Sequence, residues 1–329
     1  MSAAFDVVGI GNALVDVLSH EDDAFVEAMQ LERGAMTLID EARAHELYDA
    51  MGPGVEISGG SAANTMVGIA AFGSRAAYIG KVRDDQLGEV FRHDLRATGV
   101  HFEAPAALAG PSTGRCLIVV TPDAQRTMNT YLGVSAFLGP DDVDEALVAD
   151  AEIVYLEGYL WDRDEAKDAY WKAAKVAHSA GRQVSLTLSD PFCVERHRPE
   201  WLELVAREVD VLFANEAEIC SLYQCDFDDA LQQARAHCRV AALTRSEKGS
   251  VIVSGDEVHV IDADPAARLV DTTGAGDLYA AGFLHGYTNG LGLATCAHLG
   301  SMAAAEVISH LGARPEADLT VLARPVLET

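Results

Sequence analysis

The seven residues Asp271-Thr272-Thr273-Gly274-Ala275-Gly276-Asp277 join a turn of small side chains to two carboxylates, and they run directly into an apolar segment over 278–287. Gly274, Ala275 and Gly276 let backbone N–H groups approach a ligand closely, and a helix starting there points its positive dipole end and unpaired donors at the same spot. Phosphate is the natural occupant. Asp277 lies at the mouth of this cradle, where a carboxylate would repel a phosphate that only had to be held. The arrangement makes chemical sense when Asp277 accepts the proton of a neighbouring hydroxyl, which is the layout of phosphoryl transfer to an alcohol. The structural alternative is that Asp271 and Asp277 flank and cap a helix.

Four other groups carry chemistry. Gly9-Ile10-Gly11-Asn12-Ala13-Leu14 begins like a dinucleotide-binding turn but lacks its third glycine, and 14–19 has no clear helical period, so a Rossmann reading is rejected. What remains is Asn12 and Asp16 just beyond a strand; an ionised Asp16 is acceptor-only and can hold two O–H donors of a diol, or else it caps a turn. In Gly59-Gly60-Ser61-Ala62-Ala63-Asn64, the glycines allow a ligand to lie against the backbone, Ser61 can cap the following helix and Asn64 offers a donor and an acceptor one turn in. Asn215-Glu216-Ala217-Glu218 follows an apolar strand and supplies oxygens able to orient the waters of Mg²⁺, although Asn215 as N-cap with Glu218 as its capping-box partner accounts for the same residues. Arg126 opens a β-prone arm, and an acidic chain that handles phosphate needs a placed cation.

These strings, in this order and over nearly the whole chain, resemble the ribokinase and PfkB-like family of carbohydrate and nucleoside kinases, and look most like adenosine kinases. The resemblance implies an ATP-dependent, Mg²⁺-dependent kinase with Asp277 as base, an anion cradle at 274–276 and Arg126 as a lid arginine over the transferring phosphoryl group. It assigns Asn12, Asp16, Gly59, Gly60 and Asn64 to the acceptor, and Asn215 and Glu218 to a water-mediated Mg²⁺ network. Thr244, Thr272, Gly274 and Gly276 join Asn215 and Glu218 in the nucleotide site, and Asp271 and Thr273, with 312–313, form a site for a monovalent cation such as K⁺. Leu14, Met36, Leu38 and Cys116 fall where adenosine kinases line a base pocket, and Tyr159, after Gly158, falls where an aromatic ring stacks on a purine; each is also an ordinary core residue. Leu188-Ser189-Asp190-Pro191-Phe192 and the string from Asp210 to Glu216 point the same way. The acceptor expected is adenosine or another purine nucleoside, the rival a sugar such as ribose or fructose on the same machinery, and the distant alternative a non-catalytic nucleoside or nucleotide sensor.

Composition limits the partners. The chain has 329 residues, 49% of them hydrophobic, enough for a sizeable core, and 51 acidic against 24 basic residues give a formal net charge of −27. That charge argues against non-specific binding to nucleic acid or to anionic membranes. Six scattered cysteines form no metal-ligand or disulfide pattern. The chain enters a strand almost at once, with no basic segment leading an apolar run, and no stretch has the length of a membrane helix, so the cytoplasm is the expected location.

The elements that position these residues follow a parallel α/β rhythm. Apolar runs over 7–10, 76–79, 153–156, 184–188, 211–214, 240–243 and 251–253 predict strands, and helical periods fall over 62–72, 87–97, 164–179, 216–223, 228–237, 275–288 and 293–309. The expectation is a ribokinase-like parallel sheet with helices on both faces, built from 1–12, 41–112 and 133–329. A second, smaller β-sheet from 13–40 and 113–132 forms a lid over the acceptor, with a hairpin of arms 115–121 and 126–131 around Pro122-Asp123-Ala124-Gln125. Leu117 to Val120 are apolar on both faces, so the small sheet must be covered twice, by its own domain or by a second subunit in a lid-to-lid dimer. The run 141–145 reads as a solvated first helical turn.

Overall fold

The computed structural model describes residues 3–123 and 125–328; Ala124, inside the predicted hairpin turn, lies outside them. In chain order the strands are β1 (Phe5–Ile10), β2 (Leu14–His20), β3 (Met36–Leu38), β4 (Val55–Gly59), β5 (Ala76–Ile79), β6 (Gly114–Val120) and β7 (Arg126–Tyr131), then β8 (Ala151–Glu157), β9 (Gln183–Thr187), β10 (Val211–Asn215), β11 (Val240–Thr244), β12 (Ser250–Ser254) and β13 (Glu257–Ile261). The principal helices are α1 (Asp23–Ala28), α2 (Glu41–Ala50), α3 (Ser61–Ala71), α4 (Gln86–Ala97), α5 (Glu145–Ala149), α6 (Asp164–Ser179), α7 (Pro191–Glu208), α8 (Glu216–Tyr223), α9 (Phe227–His237), α10 (Ala275–Thr288) and α11 (Leu293–Val307).

Eight strands form the main sheet in the order β13-β12-β11-β10-β9-β8-β1-β5, parallel from β11 to β5 and closed by an antiparallel pair at the β13 edge. Central strands read as unbroken apolar runs because both faces are covered. Val7 of β1 enters one core with Met66 of α3 and Phe283 of α10, while Val8 and Ile10 enter the other with Tyr170 of α6 and Trp201 of α7. The main-sheet expectation therefore holds. Strand β13 was missed because it is an alternating, half-exposed edge, and α7 because Pro199 interrupts it, with His197 leaving helical geometry at the kink.

The second sheet has the order β3-β7-β6-β2-β4. It includes the expected hairpin, β6 against β7, and also β4, whose Gly59 pairs with Leu14 and Ile57 with Asp16. The sequence reading left Val55–Gly59 and α2 with the larger domain, because five residues ending in Ser-Gly carry little strand signal before the partner strand is known. Helix α2 supplies the cover that the apolar β6 requires: Ala44 and Leu47 share one buried cluster with Val15, Val17 and Leu117 on the outer face. This sheet thus covers its outer face without a second subunit. The acidic run at 141–145 divides: Asp142 pairs with Lys81, and Asp144 caps α5. Among the described residues, no helix is long and apolar enough to cross a membrane.

Leu47 is fully buried in this cover. Leu47→Ala should lower the free energy of unfolding by about 2–5 kcal/mol, read as an earlier urea midpoint at unchanged slope; an unchanged midpoint would show that α2 does not secure the small sheet.

Candidate active site

Strand order reverses at β1, which lies between β5 and β8, and the carboxyl ends of β1 and β8 therefore open at the crevice where doubly wound sheets bind ligands. Glu157, the last residue of β8, is fully buried there. It accepts hydrogen bonds from the Asn12 backbone N–H, the Asn12 side-chain amide and the Ala62 N–H, each at 2.8 Å. One carboxylate thus fixes both the turn after β1 and the start of α3. Burial pushes Glu157 up to about 7 against the pull of these donors, and the nearby Asp277 adds to the push. Asn12 completes its bonding by accepting from the Ser135 hydroxyl at 2.9 Å.

Helix α3 delivers Ser61 and Asn64 to Asp277. The Ser61 hydroxyl, expected to cap α3, instead donates across the crevice to Asp277 Oδ1 at 2.6 Å, and Asn64 Nδ2 donates to Oδ2 at 3.2 Å; α3 has no side-chain cap. Asn64 Oδ1 is buried with no partner among the described residues. Burial raises Asp277 to about 6, opposed by Ser61, Asn64 and Arg314. The two glycines before α3 make room for protein atoms. A Cβ on Gly59 would lie 2.4 Å from the Asp16 carboxyl carbon, and one on Gly60, whose φ is +100°, would lie 2.2 Å from the Asn12 carbonyl oxygen.

The 271–277 string forms a tight turn that runs into α10. Gly274 takes φ +80° and packs where a Cβ would meet Ala313, while a Cβ on Gly276 would meet nothing, so open space adjoins it. No side chain caps α10. Ala275 N–H turns back to the Thr272 carbonyl at 3.3 Å, leaving the Gly276 and Asp277 amides without acceptors among the described residues. Asp271 anchors the loop from within. Its Oδ1 accepts from Thr273 N–H (3.0 Å) and hydroxyl (2.7 Å), and its Oδ2 accepts from Gly312 N–H (2.9 Å) and from Arg126, both ion-pair side chains being buried. Burial works to raise Asp271, but the donors from Gly312 and Thr273 and the charge of Arg126 hold it below its ordinary value. Asp271, Thr273 and Gly312 do come together, but their carboxylate is filled by protein donors, and a monovalent cation would have to compete with Arg126 for it.

The inner face of the small sheet gathers the expected acceptor residues. By register, Asp16 lies beside Cys116, Cys116 beside Thr130 and Thr130 beside Leu38. Leu18 lies beside Ile118, Ile118 beside Met128 and Met128 beside Met36, with Val120 beside Arg126 at the end. Asp16 is the one carboxylate in this array; burial raises it to about 6 against Arg126 and Arg314, with Asp277 adding to the rise. Met36 and Leu38 remain 44% and 50% exposed.

Asn215 and Glu218 form a reciprocal capping box: Asn215 N–H and Nδ2 donate to Glu218 at 2.9 and 2.6 Å, and Glu218 N–H donates to Asn215 Oδ1 at 2.9 Å. Glu218 is nevertheless buried and raised to about 7 by desolvation, a carboxylate with no ion-pair partner among the described residues. Thr244 pairs with Asn215 at the same sheet end, and Thr272 is exposed on the anion loop. Tyr159 is half-buried, its hydroxyl fixed on the Ser189 carbonyl at 3.0 Å, within the electrostatic influence of both Asp277 and Glu218. Glu157 and Arg314 were missed by sequence reasoning; a carboxylate closing the apolar run of β8 was a signal for the first, and nothing local marked the second.

Residues 37–319 match the model of the pfkB family carbohydrate kinases. The solved adenosine kinase from Sinorhizobium meliloti is 52% identical, with TM-score 0.90 over 98% of this chain and 99% of that one. A probable sugar kinase from Rhizobium etli is 50% identical, with TM-score 0.91 over 98% of each chain. The ATP-dependent ribose-1-phosphate kinase of Halopiger xanaduensis is 33% identical over 69% of this chain and 72% of its own length. With a family match over most of its length, on the fold and motifs described, this chain belongs to the pfkB family of carbohydrate kinases and is a phosphotransferase that uses a hydroxyl group as acceptor.

Proposed function

We propose that the chain phosphorylates the primary hydroxyl of a nucleoside, most fittingly a purine nucleoside such as adenosine, at the expense of ATP. The observation that carries this reading is the inner face of the small sheet: one carboxylate, Asp16, and one hydroxyl, Thr130, which is turned onto Cys116, in a field of Leu18, Ile118, Met128, Met36 and Leu38. A nucleoside offers a ribose diol for Asp16 and a flat, weakly polar base for the apolar remainder. A free sugar would set most of its hydroxyls against side chains that cannot hydrogen-bond them. The high identity to an adenosine kinase supports the same choice, and the similar identity to a probable sugar kinase makes the acceptor assay decisive.

In this reading Asp277 takes the proton of the attacking hydroxyl. Ser61 and Asn64 hold its two oxygens, and the unpartnered Asn64 Oδ1 offers an acceptor for the substrate. Free amides at 276–277 and the helix dipole of α10 meet the phosphoryl oxygens, and Arg126, paired with Asp271 of the same loop, supplies a cation. The Asn12 to Glu157 network and Asp16 orient the acceptor, with the Tyr159 ring as a base platform. The buried, cation-poor Glu218 with Asn215, near Thr244, suits the hydrated Mg²⁺ of an ATP complex, which supplies charge neutralisation on the phosphates when bound.

Assayed as ADP release against adenosine, inosine, guanosine, cytidine, ribose and fructose, turnover should be confined to purine nucleosides; turnover on free sugars alone would overturn the acceptor assignment. Asp277→Asn should lower kcat by roughly 10²–10⁴-fold with ATP binding retained, and near-normal turnover would remove Asp277 from the base role. Asp16→Asn should raise the acceptor KM by about tenfold or more with a smaller change in kcat. Both carboxylates must be ionised and both lie at about 6. Activity should therefore be flat at alkaline pH and fall as protons are taken up near pH 6, with a slope approaching two; a single limb near the ordinary carboxylate range would contradict it.

A further inference from the structure

Arg314, in the loop after α11, reaches from the main domain into the small sheet. Its Nη2 donates to the Ser58 carbonyl (2.5 Å) and hydroxyl oxygen (3.0 Å), and Ser58 passes its own N–H and hydroxyl to Asp94 of α4 at 2.8 and 2.5 Å. Ser58 immediately precedes Gly59, against which the Asp16 carboxylate packs. The two residues before Arg314 hold the anion loop: Gly312 N–H donates to Asp271, and Ala313 packs on Gly274. Three consecutive residues therefore join both halves of the site.

The rest of the guanidinium is idle. Nε and Nη1 are buried without partners among the described residues, as are the Tyr78 hydroxyl and Asn64 Oδ1. Leaving charged donors unpaired in the interior is costly unless their charge is needed. The charged and titratable groups that act on Arg314 are Asp94 of α4, Asp16 of β2, Asp277 of α10 and Tyr78 of β5. Glu157 feels the charge of Asp277, and Arg126 acts on Asp16 but is ion-paired to Asp271. Arg314 is committed to no carboxylate, and so its charge is shared among three.

We propose that Arg314 is a positioning residue for the transfer reaction, a cation that serves Asp277 and, together with Arg126, Asp16, so that the two carboxylates stand ionised together, while it fastens strand β4 to the loop before α10. The inference rests on the nucleoside-kinase reading for its kinetic consequence but not for its electrostatic one. Loss of the positive charge favours the protonated carboxylates, which disables the base and the diol clamp at higher pH than in the unaltered protein.

The test compares Arg314→Met and Arg314→Lys with the unaltered protein in pH profiles of kcat/KM and in carbon NMR titrations of ¹³Cγ-labelled aspartate, assigned through Asp16→Asn and Asp277→Asn. Arg314→Met should move the acid limb and both titration midpoints up by about one pH unit, a roughly tenfold extra loss of activity at acid pH, and Arg314→Lys should restore most of it. Arg314→Gln, which keeps a donor for the Ser58 carbonyl, is the neutral variant to use if the methionine variant does not fold. A loss of activity equal at every pH, or unmoved aspartate titrations, would reduce Arg314 to a structural tie and overturn the proposal. If the unaltered protein transfers phosphoryl to no nucleoside and no sugar, the functional reading fails, and the aspartate titrations still decide the role of Arg314.

Discussion

The site depends on confining several carboxylates in one dehydrated place without letting them neutralise. Asp16, Glu157 and Asp277 converge at the carboxyl ends of β1 and β8, and burial raises all three. Each is kept useful by a different device. Glu157 is surrounded by three N–H donors, Asp277 by a hydroxyl and an amide, and Asp16 by the field of two arginines. In a chain with a formal net charge of −27, such local donors matter more than any general potential.

The fold supplies these donors by topology. Order reversal at β1 brings the end of the first strand beside the end of β8, and two insertions, β2–β4 between β1 and β5 and β6–β7 between β5 and β8, build the small sheet over that point. Helix α3 starts under the sheet, α10 starts beside it, and their contact brings Ser61 and Asn64 to Asp277. The glycines at 59 and 60 are the steric condition for this approach, since a side chain at either would displace Asp16 or the Asn12 turn. The same small sheet hides its outer face under α2 and turns its inner face, with one carboxylate among apolar side chains, towards the crevice.

What the sequence made legible is what is contiguous. The string at 271–277 announces its turn and the start of α10 because glycines and helix formers are adjacent in the chain, and Asn215 with Glu218 announces a capping box for the same reason. Ser61 was misread because its local option, capping α3, is the one it declines in favour of a partner 216 residues away. Glu157 and Arg314 act over separations of 95 and 256 residues, and no local pattern encodes such a pairing. Among the elements, long apolar runs were plain, while β4 and β13 were obscured by being short or half-exposed edges and α7 by its internal proline.

Arg126 of β7 and Asp271 join the small sheet to the loop before α10. Three of the four donors on Asp271 come from its own loop and from Gly312, and the fourth is Arg126. Withdrawal of the arginine leaves the carboxylate well bonded, so the shape of the anion loop does not depend on the small sheet. Arg126, by contrast, has a buried Nε with no partner among the described residues, and its ion pair to Asp271 leaves its charge acting on Asp16 as well. In the proposed reaction an anion at the amides of 276 and 277 would compete for that guanidinium against a single oxygen of Asp271, whose other donors would keep the loop formed whichever of them wins.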